Sequence, residues 1–129
     1  MACGLSGSCG SSIAALTARL ACAFIQGAQE AGVAACGKHY PGHGHEYRDS
    51  HFSSTVNELT LKQWENSEKR VWDAVIASGV KSIMSAHTPC LCLDDSYARG
   101  VYRRPSSASK KVLDYLHRPM GFSGLTVTD

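Results

Sequence analysis

The stretch "HYPGHGHEYRDSH", residues 39–51, places four histidines, an aspartate, a glutamate and two glycines within thirteen positions. Residues of these types can do two kinds of chemistry. An imidazole titrates at about pH 6.5, so a histidine can give up and take back a proton near neutrality, above all beside a carboxylate. Several imidazoles together can hold a zinc ion, and His39, His43, His45 and His51 are the candidates. That set lacks the HExxH spacing of a helix-borne zinc site, and its two glycines fix ligands poorly. A solvated loop of unusual composition is the third reading. Pro41, Gly42 and Gly44 let the chain turn sharply and pass close to a ligand.

The elements that must position this loop are legible as alternating patterns. Ile13, Leu16, Leu20 and Phe24 recur at helical spacing, and Gly32 can close that helix, expected near 12–30. "VAACGK" (33–38) reads as a buried strand. A second helix is expected over 58–78, capped by Asn57, with Leu61, Trp64, Glu68, Val71, Trp72, Val75 and Ile76 at helical intervals. Trp64 and Trp72 are expected in the core. A strand at 80–86, a helix at 106–117 capped by Ser106 or Ser107, and a strand at 124–128 follow. Asp94 and Asp95 suit a turn, and His117 suits the helix's last turn, where a cation meets the dipole.

Strands alternating with helices predict an α/β fold with a parallel sheet, in which functional residues collect at the strands' carboxyl ends. Lys38 and His39, His87, and Asp129 occupy those ends. A closed barrel of this kind needs roughly 250 residues and eight strands. The 129 residues supply about three strand–helix units, so a partial (β/α)8 barrel is expected, with residues 1–11 unmatched and flexible.

Composition narrows the partners. The chain is 43% hydrophobic and 19% charged, as in globular domains, and its net charge of +2 gives no footprint for nucleic acid. No apolar run approaches the roughly 18–20 residues that span a membrane. A secretory signal is not seen, so free thiols rather than a disulfide framework are the expected use of the six cysteines. Cys90 and Cys92, three residues beyond His87, are read as free thiols rather than metal ligands. No cofactor or metal is called for.

Three separated stretches carry a family resemblance. "KHYPGHGHEYRDSH" (38–51) resembles the K-H-[FY]-P-G-H-G-x4-D-S-H pattern of family 3 glycoside hydrolases of the β-N-acetylglucosaminidase type. "WDAVIASGVKSIMSAH" and "GFSGLTVTD" resemble the same family's next helix–strand unit and the strand that ends in its nucleophile. His45 and Glu46 depart from the Asp-Thr that is common there. The resemblance covers residues 12–129 and implies a fragment of the catalytic barrel, without the upstream strands whose aspartate and arginine hold the sugar.

The resemblance implies hydrolysis of terminal β-N-acetylglucosaminides with retention, through a covalent glycosyl-enzyme on Asp129. His51 matches the acid/base and Asp49 its partner, which would fix the imidazole's tautomer and favour its cationic form. Lys38 and His39 match residues that bind sugar hydroxyls, with His87 at the same mouth, while His43 has a structural role in the loop. A carbohydrate is then the partner, with no nucleic acid and no membrane, and a cytoplasmic location is expected. A glycoside phosphorylase or β-glucosidase of the same family is the alternative, and a zinc-binding module the alternative of another class. The fragment alone is expected to be inactive.

Overall fold

The computed structural model describes residues 2–4, 11–44, 55–100 and 102–129. In chain order, β1 (Ala2–Gly4) leads to α1 (Ser11–Glu30) and β2 (Cys36–Tyr40). Then come α2 (Leu61–Asn66), α3 (Glu68–Ala77) and β3 (Ser82–Ser85). A small antiparallel ribbon, β4 (Tyr97–Ala98) and β5 (Tyr102–Arg103), precedes α4 (Lys110–His117) and β6 (Leu125–Thr128). The four long-range strands lie in the order β1-β2-β3-β6, every pair parallel. Each crossover carries helix, as parallel neighbours require.

The strands expected at 33–38, 80–86 and 124–128 are present, with the first displaced toward the motif. The segment read as unmatched and flexible contributes a further strand. Ala2 and Gly4 pair with Cys36 and Lys38, so the sheet has one more unit than the motifs suggested. The helix expected over 58–78 is two helices broken at Ser67, which lies outside helical geometry at φ −125 and ψ −88. The Ser67 hydroxyl donates to Gln63 O at 2.7 Å, a side-chain bond that competes with the helical ladder. Its N-cap is Thr60, in a reciprocal capping box with Gln63, and not Asn57. Likewise, Ser106–Ala108 form a separate short turn, and Ser109 caps α4 by accepting from Val112 N.

The core gathers between helices and sheet: Trp64, Val71, Trp72 and Val75 from α2 and α3, Ile83 from β3, and Val112 and Leu116 from α4. Gly37 lets α3 pack close on β2, since a Cβ there would stand 3.1 Å from the Trp72 ring. The α1 stripe differs from expectation. Ile13, Leu16, Leu20 and Phe24 are 38–63% exposed, while Ala14, Ala21 and Ile25 are buried. Small side chains give α1 a flatter face that lies close against α3, where Cys22 Sγ donates to Ala74 O. The helical period was right, and the buried side was the neighbouring one.

Candidate active site at the carboxyl ends of the strands

The register brings the polar strand ends to one edge. Tyr40 pairs with Ser85 and Ser85 with Thr128, and the ladder runs on as Ala86 N donates to Tyr40 O and Asp129 N to Ser85 O. Between Gly37 and Tyr40, β2 has one residue more than β3 opposite it. Such a bulge re-aims side chains, and here the extra residue falls at Lys38–His39. The Lys38–His39 and Tyr40–Pro41 peptide bonds are both cis.

β2 and β6 are not neighbours, because β3 lies between them. His39 nevertheless reaches across: its Nε2 stands 3.7 Å from Asp129 Oδ2. The residue at the end of the intervening strand is the small, buried Ser85, whose hydroxyl has no hydrogen-bond partner among the described residues. The two side chains are 24% and 39% exposed, so a ligand can reach them. The structure thus joins His39 and Asp129, which the sequence places 90 positions apart.

His43 lies beside His39 with ring centroids 5.0 Å apart, and its Nε2 is 3.0 Å from Thr88 Oγ1. Thr88 Oγ1 is 2.7 Å from Thr55 Oγ1, so His43 ties the loop to two flanking segments. His87 stands on the same edge, exposed, with Nδ1 2.7 Å from Ser107 Oγ. Lys38 is half-buried on β2. His45, Asp49 and His51 lie outside the described residues. No group of three or more His, Cys, Asp or Glu capable of holding a metal occurs among the described residues, which do not include His45 and His51.

Beneath the loop is a set of contacts that reading the motif missed. The carbonyl of Pro41 accepts from Trp64 Nε1 and Trp72 Nε1, each at 3.1 Å. Two indoles read as core packing therefore also hold the motif. Asn57 Nδ2 donates to Glu68 Oε2 at 2.7 Å and to Gly42 O at 3.3 Å. Burial pushes the Glu68 carboxyl up to about 7, against hydrogen bonds from Asn57 and the Gly44 main chain that favour its charged form. A glutamate on an otherwise apolar helical stripe was the available signal.

Two further polar residues have structural partners. Asp94, read as part of a turn, is buried and accepts from Ser109 Oγ at 2.6 Å and Ser96 N at 3.1 Å. Burial pushes its pKa up, but these bonds and Lys111 outweigh it and hold the carboxyl down at about 2. His117 has Nδ1 2.8 Å from Phe122 O and Nε2 3.0 Å from Thr126 Oγ1, which links α4 to β6. Cys22, Cys36, Cys90 and Cys92 are free thiols.

A parallel sheet under helices, with histidines and an aspartate at its carboxyl edge, is the arrangement of an α/β barrel domain in which the strand ends carry the chemistry. The chain matches the glycosyl hydrolase family 3 N-terminal domain over residues 7–129 and belongs to that family. It is 34% identical over 120 residues to a β-N-acetylglucosaminidase/β-glucosidase of Cellulomonas fimi, covering 90% of this chain and 21% of that protein. A β-hexosaminidase of Actinobacillus succinogenes is 36% identical over 113 residues, covering 86% of this chain and 30% of the relative. Among solved structures, a family 3 β-N-acetylglucosaminidase from Paenibacillus sp. superposes with a TM-score of 0.77 at 31% identity, over 89% of this chain and 21% of that one. The chain therefore spans less than a third of the length of these relatives.

Proposed function

We propose that the protein carrying this segment hydrolyses terminal β-N-acetylglucosaminides with retention of configuration. The observation that carries the reading is the approach of His39 to Asp129 across β3, which puts the motif and the strand-end carboxylate at one ligand-accessible edge. The names of the relatives, β-hexosaminidase and β-N-acetylglucosaminidase, supply the substrate class.

In this reading Asp129 attacks the anomeric carbon while His51 protonates the departing glycosidic oxygen, giving a covalent glycosyl ester. His51 then takes a proton from water, which attacks the anomeric carbon from the face the leaving group vacated and displaces the Asp129 carboxylate, so two inversions give retention. Asp49 orients the imidazole and stabilises its charged form. Lys38, His39 and His87 bind sugar hydroxyls, with His39 also fixing the Asp129 carboxylate, and His43 secures the loop through Thr88. The name of the Cellulomonas fimi relative favours β-glucosides as a second substrate class.

The test is an assay of the complete protein on aryl β-N-acetylglucosaminides and aryl β-glucosides, each with and without inorganic phosphate. Turnover of the acetamido sugar, independent of phosphate and abolished by Asp129→Ala, is expected. Preference for the glucoside, or a sugar phosphate as product, would overturn the assignment.

A further inference from the structure

We propose that the Glu68 carboxylate, in its ionised form, is a positioning residue for the catalytic loop: from beneath the loop it shapes the turn at Gly42–Gly44 and so sets where His39 meets Asp129. The inference rests on the function proposed above and adds a residue that touches neither sugar nor nucleophile.

Five observations carry it. Glu68 is 7% exposed although it begins α3, and a carboxyl so placed needs a reason to be there. Its carboxyl group fills the space against the loop: a Cβ on Gly42 would fall 2.2 Å from Glu68 Cδ. Gly42 itself has φ +142, a backbone conformation that side-chain-bearing residues rarely adopt. Asn57 then bridges the two, donating to both Glu68 Oε2 and Gly42 O. Finally, Oε1 is buried and has no hydrogen-bond partner among the described residues, so an acceptor is held in reserve beside the loop. A residue present for packing alone would be served better by leucine, which needs no hydrogen bonds.

Charge matters because the groups around the carboxyl are donors. The Asn57 amide and the Gly44 main chain both favour the ionised form, and a neutral acid would have to point a proton at one of them or at Oε1's empty side. Among the described residues, the titratable side chains on the surrounding segments include His43 in the loop, Glu58 beside Asn57, Glu65 on α2, and the Cys90 and Cys92 thiols. The Glu68 charge acts to push both thiols up, while the hydrogen bond with Cys90 leaves Cys92 lowered overall.

The sign of the stability effect separates positioning from scaffolding. Burial raises the folded value to about 7 from an ordinary 4.5, so the folded state binds the proton more tightly than the unfolded one. The contribution is full below 4.5 and is lost as pH rises through 7, which makes the ionised carboxylate a cost to folding at pH 8. A scaffolding residue removed should lower stability there. Removing Glu68 by its isostere should raise it and lower activity.

The experiment compares the complete protein with its Glu68→Gln variant. Expected are a higher melting temperature for the variant at pH 8, and kcat/KM on an aryl β-N-acetylglucosaminide about ten-fold lower. The acidic limb near pH 7 in the wild-type kcat/KM profile should move to lower pH. Hydrogen exchange of the peptide covering residues 38–44 should be faster in the variant, and that of 11–30 unchanged. In the unmutated protein alone, protection of 38–44 should rise between pH 6 and pH 8 after correction for intrinsic exchange. Protection that is flat with pH, or a variant with wild-type profile and exchange, overturns the proposal. If the complete protein shows no glycosidase activity but the exchange results hold, the proposed function fails and the positioning role stands.

Discussion

The Pro41 carbonyl makes a quantitative prediction about how the motif is held. It accepts from two buried indoles, Trp64 and Trp72, each at 3.1 Å, and Pro41 is itself fully buried. Replacing either tryptophan by phenylalanine removes one donor and leaves the other. Each single change should cost about 0.5 kcal/mol for the lost bond, plus a packing cost of about 1–2 kcal/mol for the smaller ring. In the double variant the carbonyl has neither donor, and an unpaired buried acceptor costs about 2 kcal/mol. The packing costs are local, since Trp72 meets Tyr40 edge to face whereas Trp64 meets Tyr115, and they cancel in a double-mutant cycle. The double variant should therefore exceed the sum of the singles by about 1 kcal/mol, roughly five-fold in the unfolding constant. Urea unfolding followed by far-ultraviolet circular dichroism measures it; tryptophan fluorescence will not serve, because these are the only two tryptophans. Additivity within about 0.3 kcal/mol would show that the two indoles do not share the carbonyl as a working acceptor.

Three other outcomes are expected. Asp94 is held at about 2, below its ordinary 3.8, so its contribution is present above pH 4 and lost as pH falls toward 2; Asp94→Asn should lower the melting temperature at pH 7, with the gap closing at pH 3. His51→Ala in the complete protein should slow aryl glycosides with poor leaving groups by about 100-fold or more and those with very good ones far less, whereas equal losses across leaving groups would remove His51 as the acid. The 129-residue chain alone should show no turnover and should self-associate, since four strands leave the sheet open and the α1 stripe is bare. Leu16→Glu with Leu20→Glu should reduce that association in sedimentation, and an unchanged sedimentation profile would point to the sheet edges instead.

How much of this was legible in the sequence depended on which physical rule governed each part. Alternation of helix and strand was plain, because apolar periodicity is local, and it yielded the parallel sheet and the shared edge of His39, His87 and Asp129. Asn57 failed as a cap because its amide is taken up by Glu68 and Gly42, contacts no local pattern contains. The bulge at Lys38–His39 was likewise set by tertiary pairing, whereas the break at Ser67 goes with a local bond from its hydroxyl to Gln63 O. The α1 stripe misled because larger apolar residues mark a stronger pattern than alanines, yet the alanines make the closer contact. Ala2–Gly4 was missed because a three-residue strand carries almost no periodicity. Glu68 was visible as an acid on the apolar stripe, but its meaning depended on the loop lying above it.

In the proposed reaction Asp129 forms the covalent bond to the sugar. A slow fluoroglycosyl substrate of the N-acetylglucosamine series, incubated with the complete protein and analysed by peptide mass spectrometry, tests it directly. Stoichiometric labelling is expected on the peptide containing residues 124–129, localised to Asp129, with concurrent loss of activity. Labelling of another carboxylate, or full turnover with no labelled intermediate, would contradict it.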